Sequence, residues 1–150
     1  MKGTIWFDMD GTIANLYAVT DWLPKLRASD PSPYAEAKVL LNMAQLAKLL
    51  HKVQAIGYTI GIISWMSKGG TESYDEAVKT AKLNWLEQHL KSVQFDFVNI
   101  VKYGTPKTDF IKTESDILFD DESRHREAWT GEAYIPSQIL PVLKELVARG

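Results

Sequence analysis

Short apolar runs alternate with longer segments of helical spacing along this chain. Residues 4–8, Thr-Ile-Trp-Phe-Asp, are rich in β-formers and run into Met9-Asp10-Gly11. A short apolar run bounded by a glycine turn predicts a buried strand. Tyr58–Ser64, Phe95–Val101 and Asp116–Asp120 read the same way, and Glu132–Ile135 reads as a fifth strand. Between them, Ala37, Leu40, Leu41, Ala44, Ala47 and Leu50 recur at helical spacing. They predict one helix from Tyr34 to Ile56, stopped by Gly57. Ala77, Ala81, Trp85 and Leu86 predict another that ends near Leu90, with Ser73 and Glu76 as a capping box. Shorter helices are predicted around Asp21–Arg27 and Lys107–Thr113, and a terminal one over residues 138–149 whose start is blurred by Pro141. The segments 30–33, 68–71 and 103–106 carry the Pro, Gly and Ser of loops.

Strands alternating with helices predict an α/β fold: a central, mostly parallel sheet of about five strands with helices on both faces. No repeat or linker interrupts residues 1–150, which read as a single domain, and 150 residues suffice for one core. Apolar residues at 45% and charged ones at 24% exclude a disordered chain. Seventeen basic and nineteen acidic side chains leave −2, so there is no polybasic footprint for bulk nucleic-acid binding. The absence of Cys excludes disulfides, thiolate metal sites and a Cys nucleophile, and fits a reducing cytoplasm. The N-terminal run meets Asp8 and Asp10 too soon for a signal peptide. Nothing approaches the roughly 18 apolar residues of a membrane span.

In open parallel α/β sheets, sites form beyond the carboxyl ends of the strands. The polar residues expected there are Asp8 and Asp10 after the first strand, Ser64 at the end of the second, Lys107 after the third, and Asp120 and Asp121 after the fourth. Four carboxylates at one rim repel each other, so either some hold protons or a cation sits among them. An all-oxygen donor set suits Mg²⁺ better than zinc. An exposed Asp, a metal, a Lys and a hydroxyl together suit phosphoryl transfer: Asp8 can attack phosphorus, and Asp10 can serve as acid and then base.

These residues resemble the haloacid dehalogenase-like hydrolase superfamily. The matching pieces are Phe7-Asp8-Met9-Asp10-Gly11-Thr12, Ile62-Ile63-Ser64, Lys107 after Tyr103-Gly104-Thr105-Pro106, and Ile117-Leu118-Phe119-Asp120-Asp121-Glu122, in the family's order. The resemblance implies a three-layer Rossmann-like fold. It implies Asp8 as nucleophile and Mg²⁺ ligand, and Asp10 as general acid/base whose backbone carbonyl also binds the ion. It implies Ser64 and Lys107 as phosphate contacts, and Asp121 as a further Mg²⁺ ligand supported by or exchanging with Asp120. Members that cleave carbon–halogen bonds lack an Asp two places after the nucleophile, so Asp10 points to phosphate esters. The family usually inserts a cap; here residues 13–33 leave room for at most a miniature lid. Capless members tend to act on large substrates or borrow a partner subunit as a lid, so a homo-oligomer is compatible with this reading.

Other readings compete at each position. A calcium loop starting at Asp8 needs Gly at 13 and Glu at 19, where the chain has Ile13 and Val19. Asp120-Asp121-Glu122 alone would pass for a solvated acidic turn, Ser64 for a strand-end cap, and Lys107 for a surface lysine. Trp65 reads as core packing or as a platform for a nucleobase. Lys68 reads as a flexible-loop residue or a phosphate contact. Arg124, His125 and Arg126 read as a solvated charged face, and His51 as packed on the core side of its helix. Thr12, Trp65 and Lys68 complete the candidate set as substrate contacts. The leading expectation is a Mg²⁺-dependent phosphatase of small phosphorylated substrates, with a nucleoside monophosphate as first choice. Phosphorylated nucleic-acid ends or a phosphoprotein, a non-catalytic phosphate- or metal-binding module, and a phosphomutase are the alternatives.

Overall fold

The computed structural model describes residues 2–150. Its seven strands are β1 (Thr4–Phe7), β2 (Ala14–Asn15), β3 (Lys38–Val39), β4 (Thr59–Trp65), β5 (Phe97–Val101), β6 (Ile117–Phe119) and β7 (Ala133–Tyr134). Its α-helices are α1 (Trp22–Arg27), α2 (Ser32–Glu36), α3 (Met43–Ala55), α4 (Glu72–His89), α5 (Ser123–Ala128) and α6 (Ile139–Arg149). The main sheet runs β5-β4-β1-β6-β7 and is parallel throughout. The chain builds outward from β1 through β4 to β5, then returns to the other side of β1 for β6 and β7. The order therefore reverses between β1 and β6, and a crevice opens there at the carboxyl ends.

The two faces of the sheet are covered unequally. Ile5, Phe7, Ile60, Ile62, Ile117 and Phe119 share one buried cluster with Leu46, Leu50 and Val53 of α3, Trp85 and Leu86 of α4, and Leu143 and Leu146 of α6. On the other face Trp6, Ile63 and Leu118 pack with Trp129, Phe97, Phe110 and Ile111. Gly61 lies opposite Trp6 in the register, and a Cβ there would come within 2.4 Å of the indole. The mid-strand glycine is thus the space that Trp6 occupies.

Asp116, 1% exposed, ties this second face to the sheet. Its carboxylate accepts hydrogen bonds from the backbone N–H of Thr4 (2.8 Å) and Lys112 (2.8 Å), the Trp6 indole (3.0 Å) and the Thr113 hydroxyl (3.0 Å). Burial would raise its pKa, but these donors together hold it below the usual carboxylate value. Asp116→Ala strands two buried donors, the Thr4 backbone N–H and the Trp6 indole N–H, and should cost about 3 kcal/mol or more. At about 4 °C per kcal/mol for a domain of this size, thermal unfolding should register a drop of about 12 °C. An unchanged midpoint would show that the network carries no stability.

The predicted strands fall where expected, but the Tyr34–Ile56 helix is broken in two. Ala37 turns extended (φ −54°, ψ 133°), and Lys38–Val39 pairs antiparallel with Ala14–Asn15. The Ala37 carbonyl accepts the Trp85 indole N–H at 2.7 Å, so tertiary bonds replace the helical ones. Helix α3 restarts at Asn42, whose side chain accepts from the Gln45 N–H. His51 is consequently exposed rather than packed, with Nε2 3.0 Å from the Ser92 carbonyl; Leu46, Leu49, Leu50 and Val53 take the core face. The cap of α4 is Thr71, not Ser73: its hydroxyl accepts from the Tyr74 N–H. The helix expected over Lys107–Thr113 is a single 3₁₀ turn, Lys107–Phe110. Pro141 sits in the first turn of α6, where its missing N–H costs nothing. Among the described residues, no helix is long and apolar enough to cross a membrane.

Candidate active site

The crevice between β1 and β6 is where the carboxylates gather. Asp8 follows β1 directly, and its N–H bonds to the Phe119 carbonyl across the switch point at 3.0 Å. Asp120 follows β6. Lys107, 4% exposed, bridges the two: its ammonium lies 2.9 Å from Asp8 Oδ1 and 2.7 Å from Asp120 Oδ2. Gly11, at φ +80°, turns the chain back after Asp10, and a Cβ there would strike Asp121 Oδ2 at 2.3 Å. Only glycine lets the loop after β1 approach the carboxylate after β6 this closely.

Thr12 is fully buried between the acids. Its hydroxyl donates to Asp8 Oδ2 at 2.9 Å, lies 3.4 Å from Asp121 Oδ1, and accepts the Asp121 N–H at 3.2 Å. The sequence placed Thr12 on substrate; its hydroxyl is instead committed to orienting two carboxylates. Ser64 likewise stands at the expected strand end but is fully buried behind the cavity wall, where it accepts a 2.6 Å hydrogen bond from Lys82.

The acids differ in how their charge is met. Burial raises the pKa of Asp8, and the nearby Lys107 only partly offsets this. Burial acts the same way on Asp120, but a His125 hydrogen bond and Lys107 outweigh it, so its pKa is lowered. Asp121, half-buried and facing Asp8 without a cation of its own, is pushed up to about 8 by burial and by the Asp8 charge. Burial would lower the Lys107 pKa, yet Asp8 and Asp120 together raise it. Ligand oxygens of Asp8, Asp120 and Asp121 lie within 4.8 Å of one another. An all-oxygen set with one uncompensated carboxylate is what a hard divalent cation fits.

A cavity of about 400 Å³ opens above these groups, with Asp8, Asp10 and Lys107 in its wall. Its lining also includes Leu16, Tyr17, Trp22, Leu26 and Tyr34, together with Trp65, Met66, Tyr103 and His125. Tyr17 and Trp22 meet edge-to-face at 5.0 Å. Trp65 is already engaged: its indole N–H bonds the Thr105 carbonyl at 2.7 Å, and Tyr103, His125 and the Arg124 guanidinium crowd its ring at 4.8, 4.7 and 5.0 Å. Lys68 is an exposed loop residue that also borders the cavity.

Two parts of this site escape sequence reasoning. Of the residues after β6, Arg124 is exposed, but His125 and Arg126 are not a solvated face: His125 Nδ1 lies 3.0 Å from Asp120 Oδ2, and Arg126 donates to the Asp120 carbonyl at 3.0 Å. Lys82 is 1% exposed, and its ammonium contacts Asp10 Oδ2 at 2.8 Å. The signal for Lys82 lies in the spacing, because it shares the buried stripe of Tyr74, Val78, Ala81, Trp85 and Leu86 along α4. A lysine on such a stripe needs a buried partner.

No protein-family model matches the sequence, and no curated protein sequence does. Solved structures do match. One is the D,D-heptose 1,7-bisphosphate phosphatase of Burkholderia thailandensis, with a TM-score of 0.61 at 12% identity over 98% of this chain and 99% of that one. Another, from Mesorhizobium loti, is a protein assigned to the HAD-like phosphatases, with a TM-score of 0.55 at 15% identity over 99% of this chain and 87% of that one. The fold of this chain is therefore the Rossmann-like fold of the haloacid dehalogenase-like phosphatases.

Proposed function

We propose that this chain is a phosphate monoester hydrolase that works through a phosphorylated Asp8. The observation that carries the reading is the crevice itself: Asp8 and Asp120 bridged by Lys107, with Asp10 in the wall of the same cavity. In the first step an Asp8 oxygen attacks phosphorus and the bond to the leaving alcohol breaks, while Asp10 protonates the departing oxygen. In the second, Asp10 takes a proton from water, the water oxygen attacks phosphorus, and the bond to Asp8 breaks to release phosphate. Lys107 contributes fixed positive charge to the phosphoryl oxygens. Mg²⁺ held by Asp8, Asp120 and Asp121 would supply further charge against the phosphate.

The fold supports the same reading, since one neighbour named above is a heptose bisphosphate phosphatase and the other is assigned to the HAD-like phosphatases. The size and walls of the cavity favour a small ester with an aromatic or apolar leaving group over a polymer end, and a nucleoside monophosphate is the substrate class we assign. Residues 13–33 act in this reading as a miniature lid, since Leu16, Tyr17, Trp22 and Leu26 wall the cavity. The Cys-free chain fits a cytoplasmic setting. The test is a Mg²⁺-supplemented screen of nucleotides, sugar phosphates and phosphorylated oligonucleotide ends. Turnover of small monoesters supports the reading; silence across the panel favours a binding module.

Trp22, which lines the cavity with only Tyr17 against its ring, is less crowded than Trp65 and is the aromatic we assign to meet a base. Trp22→Ala should raise KM for a nucleoside monophosphate about tenfold relative to a sugar phosphate, the lower part of the stacking range. Equal changes for both substrates would remove the aromatic-leaving-group assignment.

A further inference from the structure

The fold buries two lysines beside the acids, and only Lys107 has a part in the chemistry above. Lys82 does not border the cavity, so it is not placed to touch a phosphate. An ammonium has three protons and no acceptor, and Lys82 spends all three: on Asp10 Oδ2 at 2.8 Å, on Ser64 Oγ at 2.6 Å and on the Trp65 carbonyl at 2.7 Å. The ring of Tyr34 lies 4.9 Å from the same nitrogen. Strand β4 thus anchors Lys82 twice, through Ser64 and Trp65, and the third bond holds Asp10. The other Asp10 oxygen, Oδ1, has no hydrogen-bond partner among the described residues. It belongs to a side chain that is 18% exposed and lines the cavity.

We propose that Lys82 is a positioning residue for Asp10: by locking Oδ2 from behind, it leaves Oδ1 as the carboxyl oxygen that hands a proton to the leaving group and takes one from water. The lock also stops the carboxyl group from rotating to exchange its oxygens. Ser64 then serves as part of the cradle of Lys82. The proposal rests on the hydrolytic reading of the site and deepens it.

The test compares two esters that differ in how much their leaving groups need a proton. For Lys82→Met with Mg²⁺ present, kcat/KM should fall about 100-fold on glycerol 2-phosphate, the lower end of acid–base contributions, and less than about tenfold on 4-nitrophenyl phosphate. In an Asp10→Asn background, adding Lys82→Met should change the residual rate less than about twofold, because the group it orients is gone. That double variant removes both charges of the buried pair, so its folding is protected. Lys82→Gln, which keeps a donor for Asp10, is the gentler companion and should show the same split in smaller measure. Equal losses on both esters, or a full further loss in the Asp10→Asn background, would overturn the positioning role alone. A wild-type chain silent on both esters and on nucleoside monophosphates would overturn the hydrolytic reading, and this proposal with it.

Discussion

Asp8→Asn should leave no measurable hydrolysis of any phosphate ester the wild-type chain accepts. Loss of a nucleophile lowers kcat on the order of 10⁶-fold in enzymes that form a covalent intermediate. The amide has the shape of the carboxylate but no charged oxygen to attack phosphorus. The fold should survive the change. Asp8 is a group whose ionisation burial opposes, and Lys107 keeps its 2.7 Å pair with Asp120. Acid-quenched wild-type protein should gain the mass of one phosphoryl group, and the variant none. An Asp8→Asn protein that retained a sizeable part of the activity would replace covalent catalysis with direct attack by water.

Removal of divalent metal should abolish turnover and also reveal a pH-dependent weakness in the fold. Burial and the neighbouring Asp8 charge push the Asp121 pKa up to about 8 from the ordinary carboxylate value of 3.8. Between those limits the folded chain binds more protons than the unfolded one, so its stability falls as pH rises. The raised pKa of Asp8 acts in the same direction. In a chelator, the unfolding midpoint should therefore drop from about pH 5 to about pH 8, the window set by the Asp121 shift. Mg²⁺ binds the ionised carboxylates, so it should raise the midpoint more at the upper end of that window and release protons as it binds. At about 100 times its dissociation constant the ion would add about 2.7 kcal/mol. Asp121→Asn should flatten both the pH slope and the Mg²⁺ response. A midpoint indifferent to Mg²⁺ throughout the window would refute the carboxylate site.

Much of this was legible along the chain. Thr4–Phe7, Thr59–Trp65, Phe97–Val101, Ile117–Phe119 and Ala133–Tyr134 are local apolar runs with local terminators, so their placement needs no tertiary information. Alternation with helices forces a parallel sheet, and a parallel sheet collects whatever follows its strands at one rim. Asp8, Asp10, Lys107, Asp120 and Asp121 were legible for that reason.

The tertiary structure decided the rest, where spacing along the chain does not say which partner a side chain meets. The Tyr34–Ile56 pattern is helical by spacing, yet Ala37 gives its carbonyl to Trp85 and the next two residues pair with β2, bonds no window of sequence contains. Thr12 and Ser64 carry hydroxyls at the expected positions, but packing turned them toward Asp121 and Lys82 and away from the cavity. His125 and Lys82 became part of the site because α5 and α4 set them against Asp120 and Asp10, five and seventy-two residues away. Spacing determines which face a side chain takes; only the packed fold determines which charge it meets there.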